Sequence, residues 1–295
     1  MSSVFAPGKL MVGGEYAVLD GGPALVLAVN IGVSCETKPS ATLRIDTPDG
    51  DDRFVRAALQ HVRAPNAHYS FRNVGLETFT TKPGLGGSAA ATVAAVLAGG
   101  GAGPEAYEVH HAVQGSGSGA DVAASLYGGL IRFQANAPLP SVQALSPVHP
   151  IVVFSGSSAQ TGPRVTRYQS WAPSARAGFV HKMAEAVDAF PNDPVAATAE
   201  MSALLLHMAE SAGLDYDTPS LDTIRKLATR EGGAARASGA GGGDCAIAFF
   251  ENESQANAFQ HAAASAGFMI LPVEPAEATG LIPTETAFRS PRAQT

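Results

Sequence analysis

Apolar residues in the first part of the chain come in short runs separated by glycine-rich breaks. Between residues 10 and 33 the breaks are Gly13-Gly14 and Asp20-Gly21-Gly22-Pro23, which predicts strands joined by tight turns, with 25–29 a well-buried strand. Residues 42–46 and 69–73 read as further strands, and 54–62 has helical spacing. An Ala-rich helix is predicted over 88–97 and ends at Gly99-Gly100-Gly101, because successive glycines forfeit too much backbone entropy to stay helical. Another is predicted over 105–113, opening at Pro104. Strands over 130–134 and 151–154 flank a Pro-rich loop, 138–150. The second half then reads as helices over 179–190, 195–211 and 220–231, a glycine loop, a strand over 245–250, a helix over 254–266 and a strand over 268–273. Strands and helices mixed without a strict βαβ alternation predict an α+β fold in both halves. The boundary is expected in the Pro-rich loop, giving domains 1–147 and 148–295.

Composition narrows the partner more than the fold. A formal charge of −7, with no run of Lys or Arg, argues against nucleic acid or an anionic membrane and in favour of a small-molecule partner. Cys35 and Cys245 lie far apart and outside any metal-ligand spacing, so both are expected to be buried small hydrophobes. The first residues lack a basic segment followed by a long apolar core, and no stretch is apolar enough to cross a bilayer, so a cytoplasmic protein is expected, and monomer and homodimer both stay open.

Chemistry concentrates in glycine-rich turns. Pro83-Gly84-Leu85-Gly86-Gly87-Ser88-Ala89 runs directly into a helix. That arrangement lets backbone N–H groups and a helix N-terminus meet an anion, and the Ser88 hydroxyl suits Mg²⁺; a plain turn before a packed helix is the alternative. The Gly-Lys-[Ser/Thr] ending of a P-loop is absent. A second turn, Ser116-Gly117-Ser118-Gly119, leads into a helix carrying Asp121, and a third, Gly239-Ala240-Gly241-Gly242-Gly243-Asp244, leads into a strand. Glycines flush against so apolar a strand point to a close backbone approach. Asp244 reads as a brace for its own loop. Of His110 and His111, adjacent on a helix, at most one can face the site.

These segments carry a family likeness. Ala6-Pro7-Gly8-Lys9 with Gly14-Glu15-Tyr16, then Leu85-Gly86-Gly87-Ser88-Ala89-Ala90, then Ser238-Gly239-Ala240-Gly241-Gly242-Gly243-Asp244-Cys245 resemble, in order, the three motifs of the GHMP small-molecule kinases. Gln114-Gly115-Ser116-Gly117-Ser118-Gly119-Ala120-Asp121-Val122-Ala123 is most similar to the phosphomevalonate kinase branch, with mevalonate kinase next. The resemblance implies a two-domain fold, the first half like ribosomal protein S5 domain 2 and the second ferredoxin-like, and an ATP- and Mg²⁺-dependent kinase acting on phosphomevalonate or mevalonate. It further implies that Pro83 to Ala89 hold nucleotide phosphates, that Lys9 and Asp121 are catalytic, and that Ser88 and Glu108 hold metal. Glu15, Tyr16, Ser116, Gly117, Ser118, Gly119, Ser157, Thr161, Gly239, Gly241 and Gly242 are the implied acceptor contacts. The chain departs from the pattern at Gly87, where the first of two serines is usual, at Arg236 in place of a Lys, and at Ser157 and Gln160 in the acceptor segment.

In that reading Asp121 orients the acceptor hydroxyl and accepts its proton, a modest demand when the transition state is loose. Lys9 stabilises the transferring group and, by proximity, is expected to keep Asp121 ionised.

Overall fold

In the computed structural model, which describes residues 2–75, 83–135 and 140–277, the 17-residue strand β2 (Pro23–Pro39) organises the first half. One whole side of it pairs antiparallel with β1 (Ser2–Gly13). The other side is shared, its first part pairing with β5 (Leu130–Gln134) and its last part with β4 (Ala67–Val74). β3 (Arg44–Asp46) and β6 (Ser141–Leu145) extend the two flanks. Between β4 and β5 the chain near its far end closes the gap, where Asn30 N donates to Glu274 O at 2.9 Å and Ala276 N to Ala28 O at 2.9 Å.

Side chains on β2 alternate between two cores, as the period of a strand requires. Ala24, Val26 and Ala28 face the helices α1 (Arg53–His61), α2 (Gly87–Ala98), α3 (Glu105–Gln114) and α4 (Ala120–Tyr127). Leu25, Leu27 and Val29 join a core built largely from the second half of the chain. Helix α2 lies close to the sheet because its inner face is mostly alanine, with Ala89, Ala90, Ala94 and Ala95 fully buried.

The second sheet runs β10-β7-β9-β8, built from β7 (Ile151–Phe154), β8 (Ala234–Ala237), β9 (Cys245–Phe249) and β10 (Met269–Leu271). All its pairings are antiparallel, so its order is the 4-1-3-2 of a ferredoxin-like βαββαβ unit. The first crossover holds α5 (Thr161–Gln169), α6 (Pro173–Ala189), α7 (Pro194–Ala212) and α8 (Pro219–Arg230), and the second is α9 (Glu253–Ser265).

Three elements escape the sequence pattern. β8 is four residues of Ala and Arg, without strand preference of its own, and is extended because β9 pairs with it. β6 lies inside the predicted Pro-rich loop, whose residues 138 and 139 are outside the described residues. α5 opens on Thr161-Gly162-Pro163, which reads as a break, yet a proline in a first turn gives up an N–H that has no helical partner there. Both cysteines are free and buried, and among the described residues no helix is long and apolar enough to cross a membrane.

Candidate active site

The cradle is a tight loop ahead of α2. Gly84 and Gly86 have φ of +74° and +77°, conformations that suit glycine. Lys9, from β1, crosses the loop: its N donates to Leu85 O at 2.8 Å and its Nζ to Gly84 O at 3.3 Å. α7, α8 and α9 are capped by the side chains of Asp193, Thr218 and Asn252, whereas α2 starts from Gly86 with no side-chain cap. The first helical bond of α2 runs from Ala90 N to Gly86 O, so the N–H groups of Gly87, Ser88 and Ala89 have no helical acceptor. Uncapped donors beside a lysine fit a polyphosphate.

The third turn closes over this cradle as the loop of the β8–β9 hairpin. A Cβ on Gly84 would lie 2.5 Å from the Asp244 carboxyl carbon, and Cys245 Sγ sits 3.1 Å from Pro83 O. Asp244, at φ 56°, also accepts from Ala159 N at 3.0 Å and donates from its own N to Ser157 O at 2.7 Å. It therefore ties the cradle, the glycine loop and the 157–159 segment together. Burial pushes its carboxyl above the usual aspartate range, partly offset by the Ala159 amide, Lys9 and Arg164.

Glu15 and Tyr16, expected to meet the acceptor, brace the same loop instead. Glu15 forms a buried ion pair with Arg236, and its Oε1 accepts from Gly239 N at 3.2 Å. Tyr16 donates from Oη to Ala240 O at 2.6 Å. Gly241 and Gly242 are close-packed as predicted, but by the protein itself: a Cβ on either would overlap the Tyr216 ring or the Arg164 guanidinium. Gly239 alone of the three faces open space, with nothing within 4 Å of a built Cβ.

Asp121 lies in the first turn of α4, which begins at left-handed Gly119. Its Oδ1 accepts from Val122 N at 2.9 Å, and its Oδ2 lies 3.9 Å from His110 Nε2. The expected pairing with Lys9 is not made, since no ion pair within 4.0 Å joins them and the Lys9 ammonium is drawn to the cradle carbonyl. Glu108 points away, its side chain 80% exposed and 3.9 Å from His61, because the buried face of α3 is that of Ala106, Val109 and His110. Ser88 therefore stands without Glu108, and no group of three or more acidic, His or Cys side chains placed to hold a metal ion occurs among the described residues. That donor set fits a Mg²⁺ carried chiefly by phosphate oxygens and water. Ser116, Gly117, Ser157 and Thr161 are exposed around the site, and Ser118 and Gly119 half-buried. A cavity of about 540 Å³ lined by Asp20, Gln134, Arg176 and Val180 shares no lining residue with the turns at 83–89, 116–119 and 239–244.

Comparison with known proteins converges on the same fold. Residues 183–268 match the family model described as GHMP kinases C terminal. The phosphomevalonate kinase of Streptomyces sp. (strain CL190) is 29% identical, with 92% of this chain and 96% of that protein covered. The chain carries a GHMP kinase C-terminal domain. The mevalonate kinase of Archaeoglobus fulgidus is 27% identical, over 86% of this chain and 94% of that one. In fold, the chain matches the phosphomevalonate kinase of Streptococcus pneumoniae, solved in complex with phosphomevalonate and AMPPNP, at a TM-score of 0.77 and 22% identity, covering 93% and 100% of the two chains.

Two residues at this candidate site are not among those the sequence reading selects. His110 was legible: Ala106, Val109, His110 and Val113 follow the spacing of a buried helix face, which selects it over His111. Arg164 was hidden with α5, and bonds through Nε to Asp215 O at 2.7 Å and through Nη1 to Gln160 O at 2.8 Å.

Proposed function

We propose that the chain is a GHMP kinase that transfers the γ-phosphoryl group of ATP to phosphomevalonate, forming mevalonate diphosphate. The observation that carries the reading is the convergence of Lys9, the Gly84–Ser88 loop and Asp244 in one place, in a chain 29% identical to a phosphomevalonate kinase over nearly its full length. The α2 N-terminus and Lys9 bind and orient the phosphates, and the lysine ammonium opposes the charge that spreads over the transferring group. Ser88 offers the hydroxyl that holds Mg²⁺, which when bound neutralises phosphate charge. Asp121 receives the acceptor hydroxyl and its proton. Arg164, which lies over Gly242 and donates to Gln160 O, adds a cation next to the 157–161 segment, in keeping with an acceptor that already bears a phosphate.

Mevalonate is the second reading, favoured by the Archaeoglobus likeness and by the absence of a lysine at Ser157 and Gln160. Purified protein incubated with ATP and Mg²⁺ against phosphomevalonate, mevalonate, homoserine and galactose decides between them through ADP release. Turnover of phosphomevalonate well above the others is expected; preference for mevalonate selects the second reading, and silence on both ends the assignment.

A further inference from the structure

Ser88 on α2 and Asp121 on α4 approach the site from different helices, and α3 sets a single side chain between them. His110 is 3% exposed and stacks on Phe54 with ring centroids 5.3 Å apart and planes 30° apart. Its Nε2 lies 3.2 Å from Ser88 Oγ and 3.9 Å from Asp121 Oδ2. We propose that His110 is a positioning residue for phosphoryl transfer: its Nε2 accepts the Ser88 hydroxyl proton and so turns the oxygen lone pairs toward the mouth of the cradle, while the ring sets the spacing of Ser88 from Asp121. The inference rests on the roles given above to those two residues.

The argument is one of donor and acceptor capacity. A serine hydroxyl has one proton and two lone pairs, and the oxygen serves a cation only when the proton points elsewhere. On α2 the Ser88 carbonyl is taken by Thr92 Oγ1 at 2.8 Å, and the side chain's partner is His110. An imidazole carrying its proton on Nδ1 presents Nε2 as the acceptor, and the stack on Phe54 holds the ring in that plane. The neighbouring His111 is exposed and cannot substitute. Outer residues that orient a metal-site ligand typically affect metal affinity or activity by about 10- to 100-fold.

The test compares His110→Asn, which stops near the place of Nδ1, with His110→Gln, which reaches the place of Nε2. Binding of Mn²⁺ together with AMPPNP is measured for each, in wild-type and Ser88→Ala backgrounds. His110→Asn is expected to weaken binding about tenfold or more, His110→Gln to stay within about threefold, and the Asn effect to vanish in the Ser88→Ala background, since paired residues are not additive. Equal losses for Asn and Gln, or an undiminished Asn effect without the serine hydroxyl, would overturn the proposal. A second reading needs no substituted protein to fold: ¹⁵N shifts of the wild-type His110 ring should show Nδ1 protonated and Nε2 bare at neutral pH, and a protonated Nε2 would contradict it. Neither measurement uses an acceptor, so failure of phosphomevalonate as substrate leaves both interpretable.

Discussion

Arg236 on β8 and Glu15 at the end of the first motif form an ion pair whose side chains are 0% and 3% exposed. A second arm of the guanidinium donates to Val12 O at 2.8 Å, so a single side chain ties the first motif to the third. Removing one partner strands the other charge in the core, so Arg236→Met is expected to cost about 3–5 kcal/mol. The double variant Arg236→Met with Glu15→Leu should recover a good part of that, because no charge is then left alone. Urea denaturation of the two variants measures the difference, and equal losses would mean the pair matters only as packing.

Gly84 and Gly87 stand three residues apart in the cradle and should respond in opposite ways. At Gly84 an added methyl meets the Asp244 carboxyl on a backbone with φ of +74°. Gly84→Ala is therefore expected to abolish nucleotide binding or folding, whereas Gly87→Ser, with nothing within 4 Å of its new Cβ, should leave the melting temperature within a few degrees of wild type. Calorimetric titration with AMPPNP and a thermal melt of each variant suffice to check this.

Asp121→Asn keeps the shape of the side chain and removes its basicity. The turnover number should fall by orders of magnitude while AMPPNP affinity changes little, because the contacts of Asp121 are with Val122 N and His110 rather than with the cradle. A near-native turnover number would make Asp121 a helix-terminal residue only.

Ser88→Ala should raise the Mg²⁺ concentration needed for half-maximal activity, with the maximal rate partly recovered at saturating metal. An unchanged metal dependence takes Ser88 out of the metal site.

Burial pushes the His110 pKa below its usual value, with Asp121 pulling it back and His111 adding to the depression. The unfolded chain therefore takes up this proton first as the pH falls. The stability held above about pH 6.5, the ordinary histidine value, should decline through the window between that value and the lower folded one. His110→Gln should flatten this part of the dependence of melting temperature on pH between about 7.5 and 5.5, and an unaltered slope would assign the titration to other groups.

Much of the site is legible in the sequence alone. The order of the glycine turns, the helices behind the first two and the hydroxyl of Ser88 at the first follow from local rules, since glycine permits the turn and alanine and the apolar period carry the helix, while Lys9 and Asp121 are candidates through the resemblance to the GHMP kinases. The bracing role of Asp244 is also readable, as an Asx residue in a loop of glycines. β2 is longer than its apolar pattern predicts, because its far half, from Asn30 to Pro39, mixes polar and apolar residues and is held as a strand by β1 and β4 on either side.

Local sequence sets the inventory: which segments turn, which are helical, and which side chains have the chemistry for phosphoryl transfer. Their pairing comes from long-range packing. It turned Glu15 and Tyr16 inward as braces, filled the space over Gly242 with Arg164, left Glu108 in solvent, and put His110 rather than Lys9 beside Asp121. Those outcomes depend on contacts between residues up to 224 positions apart, such as Tyr16 with Ala240. Local propensity carries no information about such pairs, because it is the packing of two sheets and their helices that brings them within reach.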